Sequence, residues 1–183
     1  MRCYLCNKIG QIKQQKGRAV CYECFCRLIE KRVRKNARLN KIFRRGDKVL
    51  VLGSVNKYFV KSIVKDLPIE LYFKAREDKE FVRKKRINKI IRQETIDDQV
   101  NLFLEKLFSN KSMKSKLSNK SNISLLGVVT DKEAKLFAQI KELRFKENKK
   151  NKDVQIILDD MENKDPGAKF RLLKNMALLN KLK

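Results

Sequence analysis

The sequence predicts an α/β protein: a reduced, parallel sheet with flanking helices, preceded by a short metal-stapled module. Three observations carry this. Four of five cysteines read Cys3-x2-Cys6-x14-Cys21-x2-Cys24, and no cysteine lies beyond Cys26. A continuous apolar run, Val49-Leu50-Val51-Leu52, reads as a strand buried on both faces. After it, strand-like and helix-like segments alternate, the order that builds parallel sheets through helical crossovers.

Residues 1–26 read as the metal module. Two CxxC pairs at this spacing suit one tetrahedral zinc ion, a zinc ribbon held by Cys3, Cys6, Cys21 and Cys24. Four thiolates close the coordination shell, so the ion is structural rather than catalytic. Arg2, Lys8, Lys13, Lys16 and Arg18 add positive charge that favours thiolate. Clustered cysteines of this kind fit a reducing compartment. Cys26 is a spare and reads as a small packed residue. Phe25 is expected to pack against the module.

Residues 27–48 read as a basic connecting helix, its helical part at 27–45. Ile29, Val33 and Ala37 repeat every four, and Gly46 ends it. Residues 49–145 read as the α/β domain. After the first strand, 53–56 is a turn and 57–66 a helix with Phe59, Val60, Ile63 and Val64 inward. Pro68 breaks that helix. Strands follow at 69–73 and 87–91, with a charged helix at 76–86 between them. Thr95 and Asp98 form a capping box that opens a helix with Ile96, Val100, Phe103, Leu104 and Leu107 on one face. The Ser/Asn/Lys stretch 109–122 is a loop. A fourth strand is expected over 124–129, and Thr130 with Glu133 caps a helix reaching about 145. Residues 146–183 read as a C-terminal helical segment, a Lys/Asn linker and then two helices. The last starts at Asp165-Pro166.

Net charge is +25, from 46 basic and 21 acidic side chains. Residues 1–48 hold 15 basic and 3 acidic groups, residues 121–183 hold 14 and 9, so the excess peaks on the module and the segment after it. Such a field attracts polyanions, RNA first among them. The candidate contacts are Arg27, Lys31, Arg32, Arg34, Lys35, Arg38, Lys41, Arg44 and Arg45. A solvated surface in a lysine-rich chain is the plainer alternative. No apolar run approaches the ~20 residues of a membrane span, and no signal-peptide core opens the chain, so a cytoplasmic location is expected.

The constellation resembles the tRNA 2-thiouridine synthetases of the PP-loop ATP pyrophosphatase superfamily. A paired-CxxC module, a basic helix and Asp47-Lys48-Val49-Leu50-Val51 stand in the family's order. Thr95-Ile96-Asp97-Asp98-Gln99 resembles its N-L-D-D-x-A helix. The stretch 123–145 resembles its I-x-P-L strand and following helix, and Asp165-Pro166-Gly167-Ala168-Lys169-Phe170 its P-G-T-K-F segment. The family's S-G-G-x-D-S phosphate loop aligns with Ser54-Val55-Asn56-Lys57-Tyr58-Phe59, where only Ser54 is kept.

Those departures shape the expected function. A phosphate loop needs glycines so that backbone N–H groups can approach pyrophosphate. Val55 and Asn56 stand in both places, and Tyr58 and Phe59 are expected to fill space near the phosphates. Active members also use cysteines in the α/β domain, and none exists here after Cys26. The resemblance therefore implies a non-catalytic protein of tRNA 2-thiolation, a pseudoenzyme binding tRNA, a catalytic thiolase paralogue, or both. It holds one zinc ion, and ATP is not expected. The alternatives are a divergent ATP-dependent tRNA sulfurtransferase and a zinc-ribbon RNA-binding factor of accidental likeness. Asp97 and Asp98 border the family's nucleotide site, yet acids in a helix's first turn also complement its dipole and complete a cap. The C-terminal helix, with Phe170, Leu173, Ala177 and Leu178, is the expected partner surface.

Overall fold

The computed structural model describes residues 1–13, 17–109 and 122–179. The expected Ser/Asn/Lys loop falls outside them except at its two ends, and Lys16 and the side chain of Ala177 lie outside them as well. The chain opens with a hairpin of two very short strands, β1 (Ile12–Lys13) and β2 (Ala19–Val20), paired antiparallel. Helix α1 (Tyr22–Leu39) follows at once. It begins and ends earlier than the 27–45 expected. Cys21 is its N-cap and accepts the Cys24 N–H at 3.5 Å, so the second cysteine pair builds the first turn. Its buried stripe, Phe25, Cys26, Ile29, Val33 and Ala37, extends the fourfold repeat by one turn. The connecting helix is thus continuous with the module. A hairpin this small cannot bury a core alone. Cys3, Val20, Cys21, Cys24 and Phe25 are packed continuously with Val49, Val51, Val55, Phe59 and Phe137 of the α/β part.

The remaining strands form one parallel sheet: β3 (Lys48–Leu52), β4 (Glu70–Lys74), β5 (Lys89–Arg92) and β6 (Asn122–Ser124), in the order β4-β3-β5-β6. Val49, Leu50 and Val51 are all buried, although they point alternately to opposite faces. Covered faces on both sides explain the continuous apolar run. The fourth strand lies earlier than expected. Leu125, Leu126 and Val129 are buried, but in a turn rather than a ladder. The carbonyls of this turn find other donors: Asn36 Nδ2 to Leu125 O at 3.2 Å, Val129 N–H to Leu126 O at 2.9 Å, Arg32 to Val128 O at 3.3 Å, and Ile96 N–H to Val129 O at 3.0 Å.

The helices of the α/β part are α2 (Ser54–Ile63), α3 (Lys79–Lys84), α4 (Ile96–Phe108), α5 (Asp131–Ile140), α6 (Lys152–Lys164) and α7 (Ala168–Leu179). Both expected capping boxes form, at Thr95 with Asp98 and Thr130 with Glu133. Ile96, Val100, Phe103 and Leu104 pack with Val154, Leu158 and Met176 in a second core beneath α4, α6 and α7. Leu107 is exposed instead. The last helix starts at Ala168, because Asp165 closes α6 and Gly167 (φ 92°) turns the chain. Its Phe170 and Leu173 pack into that second core, and Leu178 is exposed. The apolar face expected to be left open is therefore largely filled by the protein's own α4 and α6. Among the described residues, no helix is long and apolar enough to cross a membrane.

Candidate functional site: a thiol cluster and the mouth of the sheet

The four paired cysteines converge. Their sulfurs all lie within 4.8 Å of one another, and the Cys6 and Cys21 sulfurs are 3.5 Å apart. Tetrahedral Zn–S bonds of about 2.3 Å set sulfurs about 3.8 Å apart, so the donor set fits a single tetrahedral ion. Cys3, Cys21 and Cys24 are buried and Cys6 is exposed. Four sulfurs this close cannot all ionise unaided. Burial opposes ionisation of Cys3, yet backbone hydrogen bonds at Cys21, Leu5 and Cys6 outweigh it and bring it down to about 6. The Cys6 sulfur, then burial, then the Cys21 and Cys3 sulfurs push Cys24 up to about 12. A bound cation would remove that conflict. Cys26 is buried and outside the cluster, and burial pushes its thiol up, as a packed residue requires.

The second place is the carboxyl end of the sheet. Strand order reverses between β3 and β5, and ligands of parallel α/β proteins bind at such a switch point. An open cleft of about 1890 Å³ lies there. The turn expected at 53–56 is absent. Gly53 (φ 85°) alone joins β3 to α2, and the helix begins at Ser54. Burial explains the early start: Val55, Asn56 and Phe59 are all 0 % exposed. Phe59 stacks on Phe137 with centroids 4.9 Å apart, and Tyr58 donates its hydroxyl to Glu30 at 2.7 Å. Tyr58 and Phe59 therefore do not fill the phosphate space. Of the six aligned residues, only Ser54 and Lys57 line the cleft.

Gln93 and a segment from later in the chain line that cleft. Gly53 stands at φ 85°, where an L side chain is strained, and a methyl there would also meet the end of the Gln93 side chain, 2.0 Å from its Oε1. The irregular segment 143–151 crosses the same region. Ser54 Oγ donates to Arg144 O at 2.6 Å, and Gln93 Nε2 to Lys146 O at 3.1 Å. Asn148 Nδ2 reaches Gln93 O at 2.7 Å and Asp98 Oδ2 at 2.9 Å. The segment is a strap, tied by side chains that sequence reading left as linker. One feature of the cleft edge is of the kind that can meet an anion. The first turn of α2 has no side-chain cap, so its N–H groups lack partners at the edge of the cleft.

The motif acids are engaged too. Asp97 is buried and accepts the Lys169 ammonium at 2.5 Å and the Asp131 N–H at 2.8 Å. Lys169 also meets Asp159 at 2.8 Å. Burial alone would lower the Lys169 pKa, but the two carboxylates raise it above the ordinary lysine value. Asp98 closes the cap on Thr95, and its other oxygen lies 2.9 Å from the Lys150 ammonium, out of line for a hydrogen bond. Lys150 also meets Asp131 at 2.5 Å. The pair thus bolts α4 to α5, α7 and the strap. Lys169 and Lys150 were not legible as site residues, because their partners lie far away in sequence.

Of the nine basic candidates, Arg27, Lys31, Arg34, Lys35, Arg38, Lys41, Arg44 and Arg45 are exposed. Arg32 is taken. It makes two bonds to the Glu133 carboxylate, at 2.9 and 2.8 Å, and lies over the Phe170 ring. Its place beside Val33, at the edge of the buried stripe, is the signal that it would turn inward.

The fold and the donor set define a class: a parallel α/β protein with a cleft at its strand ends and a four-cysteine metal module built into its first helix. No protein-family model and no curated protein matches the sequence. Among solved structures, the chain is similar to the U34-tRNA thiolase NcsA from Methanococcus maripaludis, described with its [4Fe-4S] cluster. The TM-score is 0.77 at 16 % identity, over 98 % of this chain and 87 % of that one. The likeness establishes the fold.

Proposed function

We propose that this protein is a non-catalytic RNA-binding relative of the tRNA thiolases, acting in wobble-uridine 2-thiolation by holding tRNA, a catalytic thiolase paralogue, or both. The observation that carries the reading is the strap along the wall of the cleft, Arg144 to Lys150. Ser54, Gln93 and Asp98 are bonded to the strap where a nucleotide would need them. The cysteines all lie in the N-terminal module or beside it. The exposed basic face of α1 supplies the RNA contact. The thiol cluster holds zinc. A [4Fe-4S] cluster sets one cysteine on each iron at the corners of a cube, wider than these four sulfurs stand. Zinc bound there neutralises the thiolates and fixes the start of α1, while the chain's own residues cap, bury and orient that helix.

One observation favours a second reading, a divergent ATP-dependent sulfurtransferase. The uncapped first turn of α2 borders a cleft large enough for a nucleotide. A tRNA titration across salt concentrations tests the first reading. Affinity should fall linearly on a log–log plot, by roughly 0.7–0.9 per phosphate contact. Joint Arg34→Glu, Lys35→Glu, Arg38→Glu and Lys41→Glu should flatten the slope. An unchanged slope would remove α1 as the RNA face.

A further inference from the structure

The carboxyl end of α1 carries a second depression, of about 390 Å³, which shares no residue with the cleft at the strand ends. Its floor is apolar: Ala37, Phe43, Ile63 and Leu67. Its rim is four cations: Arg34, Arg38, Lys41 and Arg44. Among the described residues, none of the four side chains has an acidic partner. The neighbouring acid, Asp47, is buried and consumed by the Lys89 ammonium at 2.6 Å and the Arg44 N–H at 2.6 Å. Lys41 reaches the rim from the end of α1. It has φ 47°, the left-handed conformation that follows a helix end and that glycine usually takes. Arg86 and Glu142 take the same conformation after α3 and α5, so it belongs to the end of a helix. The position sets its charge on the rim.

We propose that this depression is a nucleotide subsite, in which an unstacked RNA base lies on the apolar floor while its flanking phosphates meet the four cations. The inference rests on reading α1 as the RNA face. The chemistry is that of an amphipathic anion. A bare phosphate needs no apolar floor, and an apolar segment needs no ring of cations. The volume lies within the range of small-ligand pockets. RNA is favoured over an acidic peptide because the exposed charge continues past the depression, through Lys31, Arg27 and Lys35 on α1 and Arg45 beyond it. A charged track with apolar seats for bases is how single strands are held.

The test compares a pentauridylate with an abasic ribose-phosphate chain of equal length. Leu67 is 42 % exposed, so Leu67→Asn alters the floor with little effect on the fold, which a thermal melt checks. Leu67→Asn should weaken pentauridylate binding roughly tenfold and leave both the abasic chain and the salt slope unchanged. Joint Arg34→Glu and Arg38→Glu should weaken both chains and flatten the slope. Equal binding of both chains by wild type and Leu67→Asn would overturn the subsite. In that case, a slope still flattened by the charge reversals would leave the RNA face standing, and an unflattened one would remove both. A glutamate-rich apolar peptide that binds the floor more tightly than pentauridylate would reassign the depression to a protein partner and overturn the proposal.

Discussion

The thiol cluster and the mouth of the sheet both gather polar groups, with opposite results. In the cluster, four sulfurs face one another with only Lys8 nearby, itself paired with Glu23, and their mutual repulsion calls for an ion. At the mouth, hydroxyl, amide and carboxylate groups face one another too, but each of Ser54, Gln93 and Asp98 already has a partner from the strap. The cluster is left incomplete by its own chain, whereas the mouth is largely but not wholly satisfied by it: Gln93 Oε1 and Asp98 Oδ1 stay without a hydrogen bond, and the first turn of α2 without a side-chain cap. Counting internal partners separates the two more surely than the motif letters do.

The sharpest way to break this comparison is to remove a sulfur. Cys21→Ser should abolish stoichiometric metal and unfold residues 1–26 together with the first turns of α1. Structural zinc contributes about 10–16 kcal/mol in small peptides, far more than the rest of this module can supply. Elemental analysis and amide exchange over α1 check it. A folded, metal-free N-terminus would show the cluster to be complete without an ion.

Next comes the Lys169 bolt. Lys169→Met leaves Asp97 buried and unpaired, which costs about 3–5 kcal/mol, or about 10 °C in Tm. Adding Asp97→Asn should recover part of the loss. A Tm unchanged by the single substitution would mean that the motif acids are not held by their own chain.

A smaller effect is expected at the strap. Ser54→Ala with Asn148→Ala should cost about 1–3 kcal/mol for the hydrogen bonds removed, and should raise amide exchange across 143–151. Unaltered exchange there would show that these bonds do not hold the strap.

The smallest effect is on pH. Burial alone would raise the Asp159 pKa, but Lys169 and Gln155 hold it below the ordinary value of 3.8. Its stabilisation is therefore complete above that value and fades as pH falls through the lowered one. Lys169 is raised, so its share persists until pH rises above the ordinary lysine range. The contact between α6 and α7 should therefore hold across the neutral range and loosen only in strong alkali, as Lys169 deprotonates, or in strong acid, there by a fraction of a kcal/mol, since Asp159 is half exposed. Loosening that begins near neutrality, followed by exchange on α7, would contradict this assignment.

Much of the fold was legible because its signals are local. The cysteine spacing, both capping boxes and the apolar run at 49–52 each depend on residues within a few positions of one another. The errors share a cause. Leu125, Leu126 and Val129 look like a strand because they are apolar, but the Leu125 and Val129 carbonyls are met by α1 and α4, and that of Leu126 by the Val129 N–H of the same turn, rather than by a neighbouring strand. Tyr58 and Phe59 look like obstacles at a phosphate site only if residues 53–56 form a loop. Once Val55 is buried and α2 starts at Ser54, both aromatic rings turn away from the cleft. Gln93, Asn148 and Lys150 carry no local signal at all, and the motif-like segment around Lys169 gives no hint of its partner. Lys169 meets Asp97 across 72 positions, a contact that only the packing of α7 on α4 creates.

The central claim is that the strap and Gln93 have replaced a nucleotide at the strand ends. Calorimetric titration of the metal-loaded protein with ATP and Mg²⁺ tests it most directly. The account predicts no saturable heat up to millimolar ATP and no change in amide exchange over 143–151. A micromolar dissociation constant, with the strap released on binding, would contradict it and make the open first turn of α2 a working phosphate site.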